Sequence, residues 1–182
     1  MSERKFLFVL GSARRDGNTE KLAREAALQL PNDVRQEWLH LDDLPLPPFA
    51  DIRHAGLDYP EPEGNAKVLL DATLSATDLV IASPVYWYSV SATTKLYLDH
   101  WTAWMERDDI DFKRHMAGKT LWGVSVLAEP RKMADPLVGV LRQTASYLHM
   151  RWGGMLVGIG SRPGRVEADT EVMTQAKTFF AA

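Results

Sequence analysis

The chain has 182 residues, 46% of them apolar and 25% charged, with a formal net charge of −3; this is the profile of a single globular domain, 1–182, able to bury its own core. The net negative charge leaves no basic footprint for nucleic acid. No apolar run reaches membrane-spanning length, so neither a membrane segment nor a signal peptide is expected, and the cytoplasm is the expected location. The lack of cysteine rules out disulfides, thiolate nucleophiles, cysteine-bound zinc and iron–sulfur clusters.

The first strand is predicted at 6–10, an unbroken apolar run (Phe6-Leu7-Phe8-Val9-Leu10). It runs into Gly11-Ser12-Ala13-Arg14-Arg15-Asp16-Gly17-Asn18-Thr19, and a helix follows over 19–30 with Leu22, Ala23, Ala26, Ala27 and Leu30 on one face. A second strand, 34–41, carries Arg35, Gln36, Glu37 and His40 and has the polarity of a sheet edge. Residues 42–65 hold five of the ten prolines and form a long loop. The alternation then resumes with a helix at 66–77, a buried strand at 78–83, a helix at 91–105 and a strand at 120–128. A helix at 135–149, a strand at 155–160 and a closing helix at 167–180 complete the pattern. Five strands alternating with five helices predict an α/β three-layer sandwich. Right-handed crossovers favour the flavodoxin-like parallel order 2-1-3-4-5. Ligands bind such sheets beyond the carboxyl ends of the strands, where the winding reverses between strands 1 and 3. The loops 11–19 and 83–89 meet there.

The first loop suits an anion. Unpaired N–H groups at a helix start and the positive end of the helix dipole face it. Ser12, Asn18 and Thr19 add hydrogen-bonding groups, and Arg14 or Arg15 adds charge. Asn18-Thr19 stands where a P-loop would have lysine and a hydroxyl, and the dinucleotide glycine spacing is missing. A terminal monoester phosphate fits what remains; an ordinary capped turn is the plain alternative. The second loop, Ser83-Pro84-Val85-Tyr86-Trp87-Tyr88-Ser89-Val90-Ser91, carries three consecutive aromatics that so short a turn cannot bury together. At least one should offer a flat face at the crevice, to a planar ligand or to a protein neighbour. A planar ring bearing a phosphate on a chain long enough to reach the first loop describes FMN.

The pair of motifs, Gly11-Ser12-x-Arg14-x-x-Gly17-Asn18-Thr19 and Ser83-Pro84-Val85-Tyr86-Trp87 followed by Ser91-Ala92-x-x-Lys95-x-x-Leu98-Asp99, resembles the NADPH-dependent FMN reductase branch of the flavodoxin-like flavoproteins. The resemblance extends to Trp152-Gly153-Gly154. It implies that Ser12, Arg14, Asn18 and Thr19, with Gly17, hold the FMN phosphate. Pro84, Val85, Tyr86 and Trp87, with Ser89, would line the ring, and Ala128 and Glu129 would approach its polar edge. Glu129-Pro130-Arg131 stands where relatives often have glycines.

The implied activity is hydride transfer from NADPH or NADH through FMN to a small acceptor such as a quinone, flavin, azo or nitro compound. The cofactor carries that chemistry, so no catalytic side chain is assigned. Arg15, Arg131 and Lys132 are candidates for a ribose 2′-phosphate. The scattered histidines and the mixed-sign run 106–111 predict no metal site. The apolar helix 91–105, with Lys95 and Asp99 one turn apart, belongs to the core or to a homodimer or homotetramer contact. An electron-carrier flavodoxin is the alternative within the fold, and a flavin-free phosphate-ligand or interaction protein the alternative outside flavin chemistry.

Overall fold

The computed structural model describes residues 4–181. The strands β1 (Lys5–Leu10), β2 (Arg35–His40), β3 (Asp78–Ala82), β4 (Thr120–Leu127) and β5 (Arg151–Ile159) form one parallel sheet in the order β2-β1-β3-β4-β5. That is the expected order. Strands covered on both faces need apolar residues at successive positions, and β3 and β4 are buried along their whole length while β2 is not. The helices are α1 (Asn18–Ala27), α2 (Gly64–Ser75), α3 (Ala92–Met105), α4 (Phe112–Met116), α5 (Asp135–Tyr147) and α6 (Thr170–Ala176). None in the described residues is long and apolar enough to cross a membrane.

Strand alternation sends side chains to two cores. Leu7, Val9, Leu79 and Ile81 face α2, α3 and α5, while Phe6, Phe8, Val80, Trp122 and Val124 face α1 and α6. On the first side, Tyr97 meets Trp101 and Trp104 edge-on, at 5.4 and 6.0 Å between ring centres. Each such pair adds about 0.5–1.5 kcal/mol beyond area burial. The aromatic residues of α3 are therefore spent on the chain's own core. On the second side, Phe8 stacks on Trp38 at 3.9 Å, and the guanidinium of Arg24 lies over the same indole at 4.4 Å.

Three elements differ from the expected pattern. β5 starts four residues early because Gly153 and Gly154 lie inside it, at a bulge opposite Leu121 and Trp122. A Cβ on Gly153 would fall 2.4 Å from the Trp122 ring, so the missing side chain makes room for a buried indole. The expected helix at 167–180 is broken, with 3-10 turns at Arg165–Ala168 and Phe179–Ala181 flanking α6. Asp169 caps α6 by accepting from the Val172 N–H, which starts a new helix where one continuous helix is predicted. α4 lies between the expected helix 91–105 and the expected strand 120–128, where no element is predicted; Phe112 and Met116, one turn apart, are its buried anchors.

Candidate functional site

The ladder continues past the strand ends and then opens. Gly11 N–H donates to Ala82 O (2.9 Å), Ser83 N–H to Val124 O (3.0 Å) and Gly160 N–H to Leu127 O (2.8 Å). Beyond these bonds the loops part around a cleft of about 230 Å³, lined by Ser12, Arg14, Gly17, Asn18, Thr19, Pro84, Val85, Tyr86, Val126, Leu127, Ala128, Gly160 and Ser161. This lies below the ~300–1,000 Å³ usual for ligand sites, so a cofactor-sized molecule seated there would extend past its mouth. A larger cavity of about 450 Å³ lies under the proline-rich segment, between Phe49, Tyr59, His100 and Trp104. It lacks the strand ends and the helix start that make the smaller cleft an anion site.

Ser12, Arg14, Gly17, Asn18 and Thr19 lie together at this end of the cleft. Gly17, the N-cap of α1, has extended backbone and no capping side chain, which leaves the first-turn N–H groups available. Ser12 Oγ accepts the Arg14 N–H at 3.1 Å and keeps its own proton to donate. A Cβ on Gly17 would sit 3.3 Å from Arg14 O and 3.4 Å from Ser12 Oγ, crowding the cradle. One on Gly11 would meet Thr94 Oγ1 at 1.8 Å, because the loop presses against the start of α3. Asn18 Nδ2 donates to Gly160 O (3.0 Å) and Arg162 O (2.8 Å), tying α1 to the loop after β5, while Asn18 Oδ1 is buried without a partner.

The guanidiniums differ in what they already hold. Arg15 pairs with Asp43. Arg131 donates to Val157 O (3.0 Å) and to both Asp169 oxygens (2.6 and 2.7 Å), and lies 3.2 Å from Glu171. Arg14 has no carboxylate partner among the described residues and faces the cleft. Of the three, it alone has its charge unspent. Arg131, a candidate for a ribose phosphate in the sequence, instead ties the loop after β4 to α6.

The second loop is fastened at its base. Ser83 Oγ accepts the Ser91 N–H (2.9 Å), and Ser125 Oγ donates to Ser83 O (2.6 Å). At its tip Tyr86 and Ser89 exchange backbone hydrogen bonds of 3.0 and 3.1 Å around Trp87 and Tyr88, whose φ angles are +50° and +65°. This is the φ pattern of a tight hairpin turn that ordinarily selects Asn-Gly. Tyr86 reaches the cleft, whereas Trp87 points to solvent with 93% of its surface exposed. Trp87, Ser89 and Glu129 stand outside the lining; the other nine candidates from the sequence lie in it. Val126, Leu127, Gly160 and Ser161 are lining residues that the sequence reading passed over. Their signal was position: they end β4 and follow β5, at the same edge of the sheet.

The group implied by the two loops fits on these observations: an uncapped helix start, the Ser12 hydroxyl and an unspent guanidinium on one side, with apolar walls on the other. The family model of the NADPH-dependent FMN reductases matches residues 4–161. YwqN of Bacillus subtilis (strain 168), whose name describes an NAD(P)H-dependent FMN-containing oxidoreductase, is 27% identical over 174 residues, 94% of each chain. Among solved structures, the Trp repressor binding protein from Bacillus subtilis superposes with a TM-score of 0.75 at 23% identity, over 96% of both chains. An FMN-dependent NADH-azoreductase from Bacillus anthracis str. Ames Ancestor, in complex with FMN, superposes with a TM-score of 0.65 at 15% identity, over 95% of this chain and 97% of that one. With the family model spanning most of its length and the sheet order in agreement, the chain belongs to the NADPH-dependent FMN reductase family, as an FMN-dependent NAD(P)H oxidoreductase.

Proposed function

We propose that the cleft between the loop 11–19 and the loop 83–89 is the FMN site, with the phosphate toward α1 and the ring toward Tyr86. The observation that carries this is the meeting of the uncapped α1 start, Ser12 and Arg14 with Pro84, Val85 and Tyr86 in one cleft. Ser12 Oγ–H, the Thr19 hydroxyl and the first-turn N–H groups, that of Asn18 among them, donate to the phosphate oxygens, and Arg14 supplies the charge. Val126, Leu127 and Ala128 form the facing wall and, with Pro84 and Val85, keep water from the ring. Bound FMN supplies the hydride chemistry, taking it from NAD(P)H and returning it to an acceptor. The side chains bind and orient; none is needed as acid or base. The exposed faces of Tyr86, Trp87 and Tyr88 suit a small planar acceptor such as a quinone, flavin, azo or nitro compound, and equally a second copy of the chain. We extend the reading to a cytoplasmic protein, and on the exposed aromatics to a homodimer or homotetramer, whose subunit number sedimentation equilibrium reads directly.

The test is the visible spectrum of the purified protein before and after anaerobic NADPH. A flavin band that NADPH bleaches without an added reductase is expected. A flavin that stays oxidised would leave an electron carrier. For the residues, Ser12→Ala and Arg14→Ala should each weaken FMN about tenfold while leaving riboflavin, which lacks the phosphate, nearly unchanged. Equal losses for the two flavins would refute the assignment of the phosphate end.

A further inference from the structure

The tip of the loop 11–19 is exposed from Ala13 to Asp16, yet it is turned sharply, with Asp16 at φ +51°. One buried side chain reaches back to it. Glu20, in the first turn of α1 and 3% exposed, accepts the Asp16 N–H through Oε2 at 3.1 Å. Its other oxygen, Oε1, accepts two N–H groups of Arg24, at 2.9 and 2.6 Å. His40, at the end of β2, brings Nε2 to 3.5 Å from Oε2. Arg24 itself lies over the ring of Trp38 in β2. One carboxylate thus joins the loop tip, its own helix and the sheet edge.

A buried carboxylate beside an anion site is a liability unless it is neutralised and hydrogen-bonded. Burial pushes the Glu20 carboxyl up, but the Arg24 hydrogen bonds, the nearby His40 and the Asp16 N–H outweigh it and hold the group below its ordinary value. The charge is therefore kept, and its field on the cleft is offset by the guanidinium of Arg24. What it gives in return is geometric. Among the described residues, the tip has few other ties. Ser12 Oγ holds the Arg14 N–H from within the loop, and the Arg15–Asp43 pair is more than half exposed on both sides. An exposed pair of that kind contributes little.

We infer that Glu20 is a positioning residue for the phosphate-binding loop, holding Asp16 turned so that Ser12, Arg14 and the α1 N–H groups stand ready before the ligand arrives. This rests on the reading of the loop as the FMN phosphate site. Preorganisation of this kind raises affinity by removing an ordering penalty at binding, and only for a ligand that uses the loop.

FMN and riboflavin dissociation constants, measured by flavin fluorescence quenching on the full chain, separate this role from a general one. Glu20→Ala is expected to weaken FMN about tenfold and riboflavin less than about twofold. Glu20→Gln, whose amide oxygen can still accept the Asp16 N–H, should stay within about threefold of wild type for FMN. Equal losses for both flavins, no loss for either, or a Gln variant as poor as the Ala variant would overturn the inference. Should Glu20→Ala not fold, hydrogen exchange on the wild-type protein decides: the Asp16 amide should exchange more slowly than that of Arg15, and equal rates would overturn it. Wild-type protein that binds riboflavin as tightly as FMN would defeat the phosphate-site reading itself, whereas a failure confined to the variants defeats the Glu20 role alone.

Discussion

Replacing Trp87-Tyr88 with Asn-Gly should make the apoprotein more stable. Both residues lie in the left-handed region, at φ +50° and +65°, between the mutual hydrogen bonds of Tyr86 and Ser89. For an L-residue other than glycine or asparagine this conformation costs about 1–2 kcal/mol each. Trp87 is 93% exposed, so removing its ring forfeits little burial; Tyr88, 48% exposed, loses somewhat more. Glycine also brings back unfolded-chain entropy of about 0.5–1 kcal/mol. The net gain is about 1–2 kcal/mol, which in a chain of this size corresponds to a rise of roughly 2–8 °C in midpoint. Far-UV circular dichroism of the apoprotein is the appropriate assay, because it does not depend on the lost indole. A midpoint that is unchanged or lowered would refute the account of the turn as strained. Turnover with a planar quinone should fall in the same variant if the exposed rings serve the acceptor, since strain of this sort persists where a function holds it in place.

Arg131→Ala should lower stability by about 1–3 kcal/mol by leaving the largely buried Asp169 without its partner, and should leave the NADPH-to-NADH preference unchanged in steady-state kinetics. Gly153→Ala should lower stability by about 2–3 kcal/mol in urea denaturation, because its Cβ meets the Trp122 ring at 2.4–2.6 Å. Gly139→Ala, in α5 with nothing within 4 Å of its Cβ, should instead raise stability by about 0.5–1 kcal/mol. Burial pushes the Asp78 carboxyl up, but hydrogen bonds from Arg4, Trp122 and Thr77 outweigh it and hold the group below its ordinary value. Because the folded value lies below the unfolded one, this contribution is fully present above about pH 4 and is lost as pH falls through the folded value. Asp78→Asn should therefore flatten the acid limb of the urea midpoint, and an unchanged slope would refute the assignment.

The contrast between the two glycine loops shows how far reading a chain residue by residue can reach. Gly11 and Gly17 punctuate a loop after an apolar run, and local pattern alone places them at a strand-to-helix turn. Gly153 and Gly154 carry the same punctuation but lie within an edge strand, because a buried Trp122 on the neighbouring strand needs the empty side of Gly153. Likewise the continuous pattern at 167–180 reads as one helix until Asp169 is drawn into the Arg131 pair and caps a shorter one. In the second loop, the sequence shows three aromatics too many for one turn. It does not show that Tyr86 turns into the cleft and Trp87 away from it, which follows from the handedness of the turn.

The sequence by itself determined the sheet, its order and the pair of loops that meet at the crevice. Strands buried on both faces must be apolar at nearly every position, and that requirement is local in the chain. Tertiary structure alone decided which charges are already paired. Arg14 faces the cleft while Arg15 and Arg131 are engaged elsewhere, and Glu20 gathers Asp16, Arg24 and His40 from a loop, a helix and a strand. Ion pairing depends on distances between elements that pack side by side, and those distances exist only once the helices lie on the sheet.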